Sequence, residues 1–222
     1  MPEKRKVVFA NGEIYHIYNR SVGNLEIFTG FREQQRALEL LDYYRFPPKI
    51  SFSKYKNLPK DVRQDYLQSY RKQKPFIEIF GYALMPGHFH ILSRQLTEDG
   101  IKIFVSNFQN AFAKYFNTKS NRDGSVFKNS FKAKWVENDE IFLHISRYIH
   151  LNPVTSYIIQ LKDLSTYPLT SYPYYLVRKS DSIVNTDFLS KIIGTSKKYQ
   201  MFVENQVDYQ RRLNLIKSKI LE

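Results

Sequence analysis

Residues 76–94 read Phe76-Ile77-Glu78-Ile79-Phe80-Gly81-Tyr82-Ala83-Leu84-Met85-Pro86-Gly87-His88-Phe89-His90-Ile91-Leu92-Ser93-Arg94. The near-continuous apolar run from Phe76 to Met85 predicts a central strand, Pro86-Gly87 a turn, and His88 to Arg94 a second strand. Upstream, Glu13-Ile14-Tyr15-His16-Ile17-Tyr18-Asn19-Arg20 alternates and is rich in β-formers, so it predicts a first strand. Phe31 to Arg45 lacks Gly and Pro, carries Leu38, Leu41 and Tyr43/Tyr44 at helical spacing, and ends at Pro47-Pro48. Residues 49–74 read as an insertion with a short helix from Pro59 to about Lys72, because proline suits a first helical turn. Downstream, Ile101, Phe104, Val105, Phe108, Phe112, Tyr115 and Phe116 mark a helix from Thr97 to about Asn117. Asn121-Arg122-Asp123-Gly124 turns the chain, and Val126 to Val136 predicts one or two strands. Asn138 can cap a helix running to about Leu151 and halted by Pro153, with Ile141, Ile145 and Ile149 as its core stripe. A Tyr/Pro/Ser-rich connector from Leu161 then leads to two predicted helices, near Thr186–Ile193 and Lys198–Ile220. The order β-α-(insert)-β-β-α-β-α predicts an α+β protein: a ferredoxin-like split βαβ antiparallel sheet, helices on one face, and a helical C-terminal extension. The expected division is a core of residues 8–158 and an extension of 159–222 packed on the same unit.

At 222 residues the chain is long for one compact domain and short for two, and 42% hydrophobic residues suffice for a real core. With no cysteine, a disulfide framework and any thiolate metal site are excluded. Apolar stretches such as Val7-Val8-Phe9-Ala10 fall far below the roughly 18 residues of a membrane span. The basic start Lys4-Arg5-Lys6 lacks the apolar segment of a secretory signal. The expectation is a soluble, cytoplasmic protein with no membrane partner.

The net charge of +13 is concentrated. Residues 45–74 carry nine basic against two acidic side chains, and residues 102–134 seven against one, which together equals the whole excess. Both segments interleave cations with rings, as in Lys114-Tyr115-Phe116, Phe127-Lys128 and Phe131-Lys132-Ala133-Lys134-Trp135. Cations neutralise phosphates and rings can stack on unpaired bases, so the pattern favours nucleic acid over a membrane surface.

His88 and His90 alternate on a predicted strand and therefore face one way, a ready pair of metal ligands, with Phe89 pointing to the opposite layer. By itself a His-x-His pair also fits packing, and two histidines leave a metal under-coordinated. Tyr148 and Asn152 are i and i+4 on the late helix and share a face, which His144 could join. Read alone, Tyr148 fits a packing role and Asn152 a C-terminal cap. His16, His144 and His150 read as packing or locally hydrogen-bonded residues.

Together these pieces resemble a family. Tyr82-Ala83-Leu84-Met85-Pro86-Gly87-His88-Phe89-His90-Ile91-Leu92 resembles the HUH motif (His, bulky hydrophobic, His) of single-tyrosine transposases, and Arg147 to Val154 resembles their tyrosine helix. Tyr15 to Arg20, Val126-Phe127-Lys128, Phe131-Lys132-Ala133 and Ser171-Tyr172-Pro173-Tyr174-Tyr175 also fit. The subgroup most resembled is the REP-associated tyrosine transposases, over roughly residues 10–205. Gly87 departs from the larger polar residue usual there, Thr155-Ser156 stands in place of Arg-Ala, and 47–74 is longer than in compact relatives.

The resemblance implies an HUH nuclease fold and attack of Tyr148 on a phosphodiester of single-stranded or hairpin DNA, giving a 5′-phosphotyrosine and a free 3′-hydroxyl. It implies His88, His90 and Asn152 as ligands of a divalent ion, Mg2+ or Mn2+, and it leaves both a homodimer and a monomer open. For phosphate contacts the basic aromatic segments offer Lys114, Lys128, Lys132 and Lys134, with Trp135 or Phe131 as a stacking ring. A DNA-binding protein that recognises hairpins without cutting remains the alternative. An unrelated metal-dependent hydrolase is disfavoured by the lack of carboxylates beside the histidine pair.

Overall fold

The computed structural model describes residues 7–177 and 183–212. Lys4-Arg5-Lys6 and the predicted helix beyond residue 212 lie outside the described residues. Four strands form one sheet: β1 (Ile14–Arg20), β2 (Ile77–Met85), β3 (His88–Gln95) and β4 (Lys132–Trp135). Their spatial order is β2-β3-β1-β4, and every pairing is antiparallel. The helices are α1 (Phe31–Tyr43), α2 (Phe52–Lys56), α3 (Lys60–Arg71), α4 (Gly100–Ser120), α5 (Asp139–Thr155), α6 (Tyr172–Leu176), α7 (Asp187–Ile193) and α8 (Ser196–Glu204). No helix among the described residues is long and apolar enough to cross a membrane.

Alternation along the strands divides the sheet into two unlike faces. Tyr15, Ile17, Phe89 and Ile91 point to one side, where α4 delivers Phe104, Phe108 and Phe112, all buried. Phe89 meets Phe108 edge-on at 5.4 Å, and Phe28 meets Phe112 at 4.8 Å. Each such ring contributes about 1.5–3 kcal/mol through burial, so this layer is the main anchor of the fold. His16, Tyr18, Arg20, His88 and His90 occupy the other side, and α5 lies across it. The expectation of helices on one face therefore holds for α1 and α4 but not for α5. A sheet whose second face carries Gly81, Ala83 and Met85 beside those polar groups still needs a cover for its apolar part.

The tight turn at Pro86-Gly87 is fixed from outside: Ile27 N donates to Pro86 O at 2.7 Å and Ser21 N to Gly87 O at 2.8 Å. A β-carbon on Gly87 would stand 3.1 Å from Leu25 O and 3.3 Å from Ser21 Oγ, which accounts for glycine at this departure from the family pattern. The β2 edge is not left open. Leu84 N donates to Leu169 O at 2.8 Å, Ser171 N to Tyr82 O at 3.0 Å and Asn185 N to Ile79 O at 2.8 Å. At the far edge β4 is short and carries exposed Lys132 and Lys134, which discourages pairing with another chain.

Helix α5 differs from the sequence expectation in two ways. Asn138 Oδ1 does accept from Ile141 N at 2.9 Å as an N-cap, but the helix passes through Pro153 and ends after Thr155. Its last turn is secured by Ser156 N donating to Asn152 O at 3.0 Å, and burial of Leu151 to Thr155 offsets the hydrogen bond that proline omits. The buried stripe runs through Phe142, Ser146, Ile149, His150 and Pro153, whereas Ile141 and Ile145 are only half-buried. The insertion holds one more helix than expected, α2, capped by Ser51 Oγ accepting from Lys54 N.

His150 ties α5 to the rest of the molecule. It is fully buried; its Nδ1 lies 2.5 Å from Tyr199 Oη on α8 and its Nε2 2.7 Å from Ser171 Oγ. Ser171 Oγ also accepts from Tyr82 N at 2.9 Å on β2. Replacing His150 with Phe removes one hydrogen-bond partner from each of two buried hydroxyls, Ser171 keeping Tyr82 N and Tyr199 keeping Ser146 Oγ. Urea denaturation should therefore show a loss of about 1–3 kcal/mol, and an unchanged midpoint would contradict this role. Burial lowers the His150 pKa to about 3. The unfolded chain takes up that proton near pH 6.5, so this support is complete above pH 6.5 and is lost as pH falls from there towards 3. The wild type should accordingly destabilise more steeply with acid than His150→Phe.

Candidate active site

The cross-strand register decides which side chains meet on the α5 side of the sheet. Tyr18 is opposite His90, Arg20 opposite His88 and His16 opposite Leu92. On the other flank Lys134 is opposite His16 and Lys132 opposite Tyr18. Three strands thus contribute histidines, a tyrosine and cations to one surface, and α5 lowers Tyr148 onto it. The Tyr148 ring stands edge-on to His90 at 5.4 Å and to His16 at 6.1 Å, with interplanar angles of 87° and 70°. His88 and His90 are 5.2 Å apart and nearly perpendicular. His16 stacks on His90 at 5.1 Å, its Nε2 2.9 Å from His90 Nδ1.

The electrostatics follow from burial among cations. Burial, then Arg20, lowers His88 to a pKa of about 4. Burial, then Lys134, does the same for His16, and burial followed by the neighbouring histidines and Arg20 holds His90 well below the ordinary value. All three are neutral at pH 7, so their ring nitrogens need not shed a proton before binding a cation. Burial raises the Tyr148 phenol, while the Asn152 side chain and the Arg20 charge pull it back down. Arg20 is exposed.

The structure brings together most of the residues singled out in the sequence. Tyr148 stands against His90, which neighbours His88, and Asn152 acts on the Tyr148 phenol from one turn further along α5. Asn152 is buried inside the helix and is not its C-cap, a position that falls to Ser156. Its Oδ1 accepts from Ser156 Oγ at a long 3.4 Å. Lys128 and Lys132 line a cleft of about 300 Å3 with Tyr18, Asn19, Arg20 and Ser130, directly beside the histidines.

Two expected DNA contacts lie elsewhere. Trp135 is opposite Tyr15 and so belongs to the other face of the sheet; it is half-exposed, and its Nε1 donates to Glu13 Oε2 at 2.7 Å. Lys114 lines a groove of about 600 Å3 between α1, α2 and α4, across the sheet from Tyr148. His144 is exposed beside Arg147, and His150 serves the packing described above. Sequence reasoning missed His16, Tyr18 and Arg20 as members of the site. Their period-two spacing in the first strand was the available signal, since it puts all three on one face.

The donor set suits a divalent cation. Two neutral imidazoles and the Asn152 carboxamide oxygen, which accepts only a long 3.4 Å contact from Ser156 Oγ, offer lone pairs to a cation with no acidic side chain beside them among the described residues. Among the described residues no three His, Asp or Glu side chains form a complete cage.

A solved structure of a REP-associated tyrosine transposase bound to a REP hairpin matches 82% of this chain and 90% of that chain, with a TM-score of 0.55 and 16% identity. The two proteins share a fold: the four-stranded antiparallel sheet with its flanking helices is that of the transposase. A candidate transposase from Deinococcus radiodurans matches 67% of this chain and 95% of that chain at 14% identity; its TM-score of 0.37 is too low to support any argument. No family model matches the chain, and no curated protein matches it significantly.

Proposed function

We propose that this protein is a transposase-type DNA strand-transfer enzyme that cuts and rejoins single-stranded or hairpin DNA through Tyr148. The observation that carries the reading is the Tyr148 ring edge-on to His90 at 5.4 Å, on the face shared with His88 and the cationic cleft. The shared fold supports it, as does the hairpin DNA held by that transposase.

In this reading Tyr148 Oη attacks the phosphorus of a phosphodiester. The new bond is Tyr148 Oη–P, the P–O3′ bond breaks, the phenol gives up its proton and the departing 3′-oxygen takes one up. A covalent phosphoester conserves the energy needed for rejoining, so no nucleotide cofactor is required. A phenol of ordinary pKa is ionised about once in a thousand molecules at pH 7, and burial makes Tyr148 weaker still as an acid. Arg20 therefore has two tasks: to favour the phenolate and to neutralise the incoming phosphate. His88, His90 and Asn152 are the residues that would hold Mg2+ or Mn2+, which when bound supplies positive charge against the scissile phosphate. Lys128, Lys132 and Lys134, exposed beside the site, draw the DNA backbone along β4.

Three outcomes test the reading. Tyr148→Phe should abolish covalent protein–DNA adducts on a labelled single-stranded hairpin, resolved on a denaturing gel, with affinity changed less than about threefold. Cleavage by that variant at the wild-type rate would refute it, and wild-type binding without any adduct would instead mark a DNA-binding protein. EDTA should stop adduct formation in the wild type and His90→Ala should match that loss; cutting that persists in EDTA removes the metal from the mechanism. Replacing Lys132 and Lys134 together by Ala should flatten the dependence of log Kd on log salt by about 1.4 for single-stranded DNA, and an unchanged slope would take both off the binding path.

A further inference from the structure

We propose that His16 is a positioning residue for His90: its Nε2 accepts the Nδ1 proton of His90 at 2.9 Å and so fixes His90 with Nε2 as its unprotonated, ligating nitrogen. The inference rests on the reading of His90 as a metal ligand. A neutral imidazole carries one proton on two nitrogens, and the hydrogen bond made by one nitrogen settles which of them is left bare. His16, on β1, is the neighbour that makes this bond, and several independent features hold it in place. It is 7% exposed and His90 6%, so water does not compete for the contact. The two rings are stacked at 27°, which restricts rotation of either. Pairing of β1 with β3 sets His16 opposite Leu92 and Tyr18 opposite His90, so backbone hydrogen bonds on both strands maintain the separation.

The chemistry of the acceptor also fits the substrate. Metal-bound histidines are commonly oriented by a carboxylate or a backbone carbonyl. An aspartate here would put a negative charge next to the phosphate-binding surface, whereas imidazole accepts the same proton and adds none.

Mn2+ binding by the full-length protein, measured by electron paramagnetic resonance without DNA, separates this role from the metal reading itself. His16→Phe keeps the stacked ring and removes the acceptor; its Mn2+ Kd should rise about 10–100-fold. His16→Gln, whose Oε1 can accept where Nε2 does, should remain within about threefold of wild type. If His88→Ala and His90→Ala lose Mn2+ while His16→Phe binds it as the wild type does, the role of His16 is wrong and the metal site stands. If none of the three substitutions weakens binding, the metal reading fails and takes this role with it. A second measurement needs no substitution: nitrogen-15 NMR of the wild type should find His90 protonated at Nδ1 and His16 bare at Nε2. The reverse assignment would overturn the proposal.

Discussion

The close approach of α5 to the sheet is the constraint on which the site depends. At Gly81 the packing is close but not forced: a β-carbon there would come into ordinary van der Waals contact with Ser171 Oγ at 3.4 Å and His150 Nε2 at 3.5 Å. A β-bulge between Ile79 and Gly81 shifts the register at that point and sends Phe80 towards Phe142 of α5, 5.4 Å away. His150 then fastens the helix through Ser171 to the edge of β2 and through Tyr199 to α8. Tyr148 lies two residues before this anchor and therefore on another side of the helix, where it meets the histidines. A small rotation of α5 would separate the phenol from His90, and the buried polar network resists that rotation.

The site's charge is unusual in its sign. Three histidines and Tyr148 are gathered with Arg20, Lys128, Lys132 and Lys134, and among the described residues no carboxylate takes part. Burial keeps the imidazoles neutral, and the surrounding cations reinforce it. A surface of this kind attracts polyanions over a Debye length and presents lone pairs only at its centre. The cost of assembling so much positive charge is tolerable because the lysines are exposed and hydrated.

The C-terminal segments have a structural reason to exist. Without residues 169–171 and 184–185 the β2 backbone would offer unpaired donors and acceptors along an apolar strand. Without α8 the His150 ring would lose a hydroxyl partner. The C-terminal helices thus complete the face on which the tyrosine rides. The insertion plays a separate part: Tyr70 donates to the Tyr43 and Phe46 carbonyls, closing the C-terminal end of α1 with a cluster of tyrosines.

Much of this was legible in the sequence. Period-two alternation assigns His88 and His90 to one face whatever the tertiary structure, the 3.6-residue repeat joins Tyr148 to Asn152, and strand and helix order specifies the split sheet. Charge counting singled out Lys128 and Lys132, which lie by the histidines, but equally Lys114, which lies across the sheet. What the chain alone could not specify was which distant faces come together. Nothing local distinguishes Lys132 from Trp135 as a neighbour of the histidines until β4 takes its register against β1. Local preference also misjudged Pro153, because it ignores the burial that carries α5 onward to Thr155. The partnership of His16 with His90 spans 74 residues; it arises only when antiparallel pairing sets β1 beside β3, since hydrogen-bond registry between strands is a property of the folded sheet.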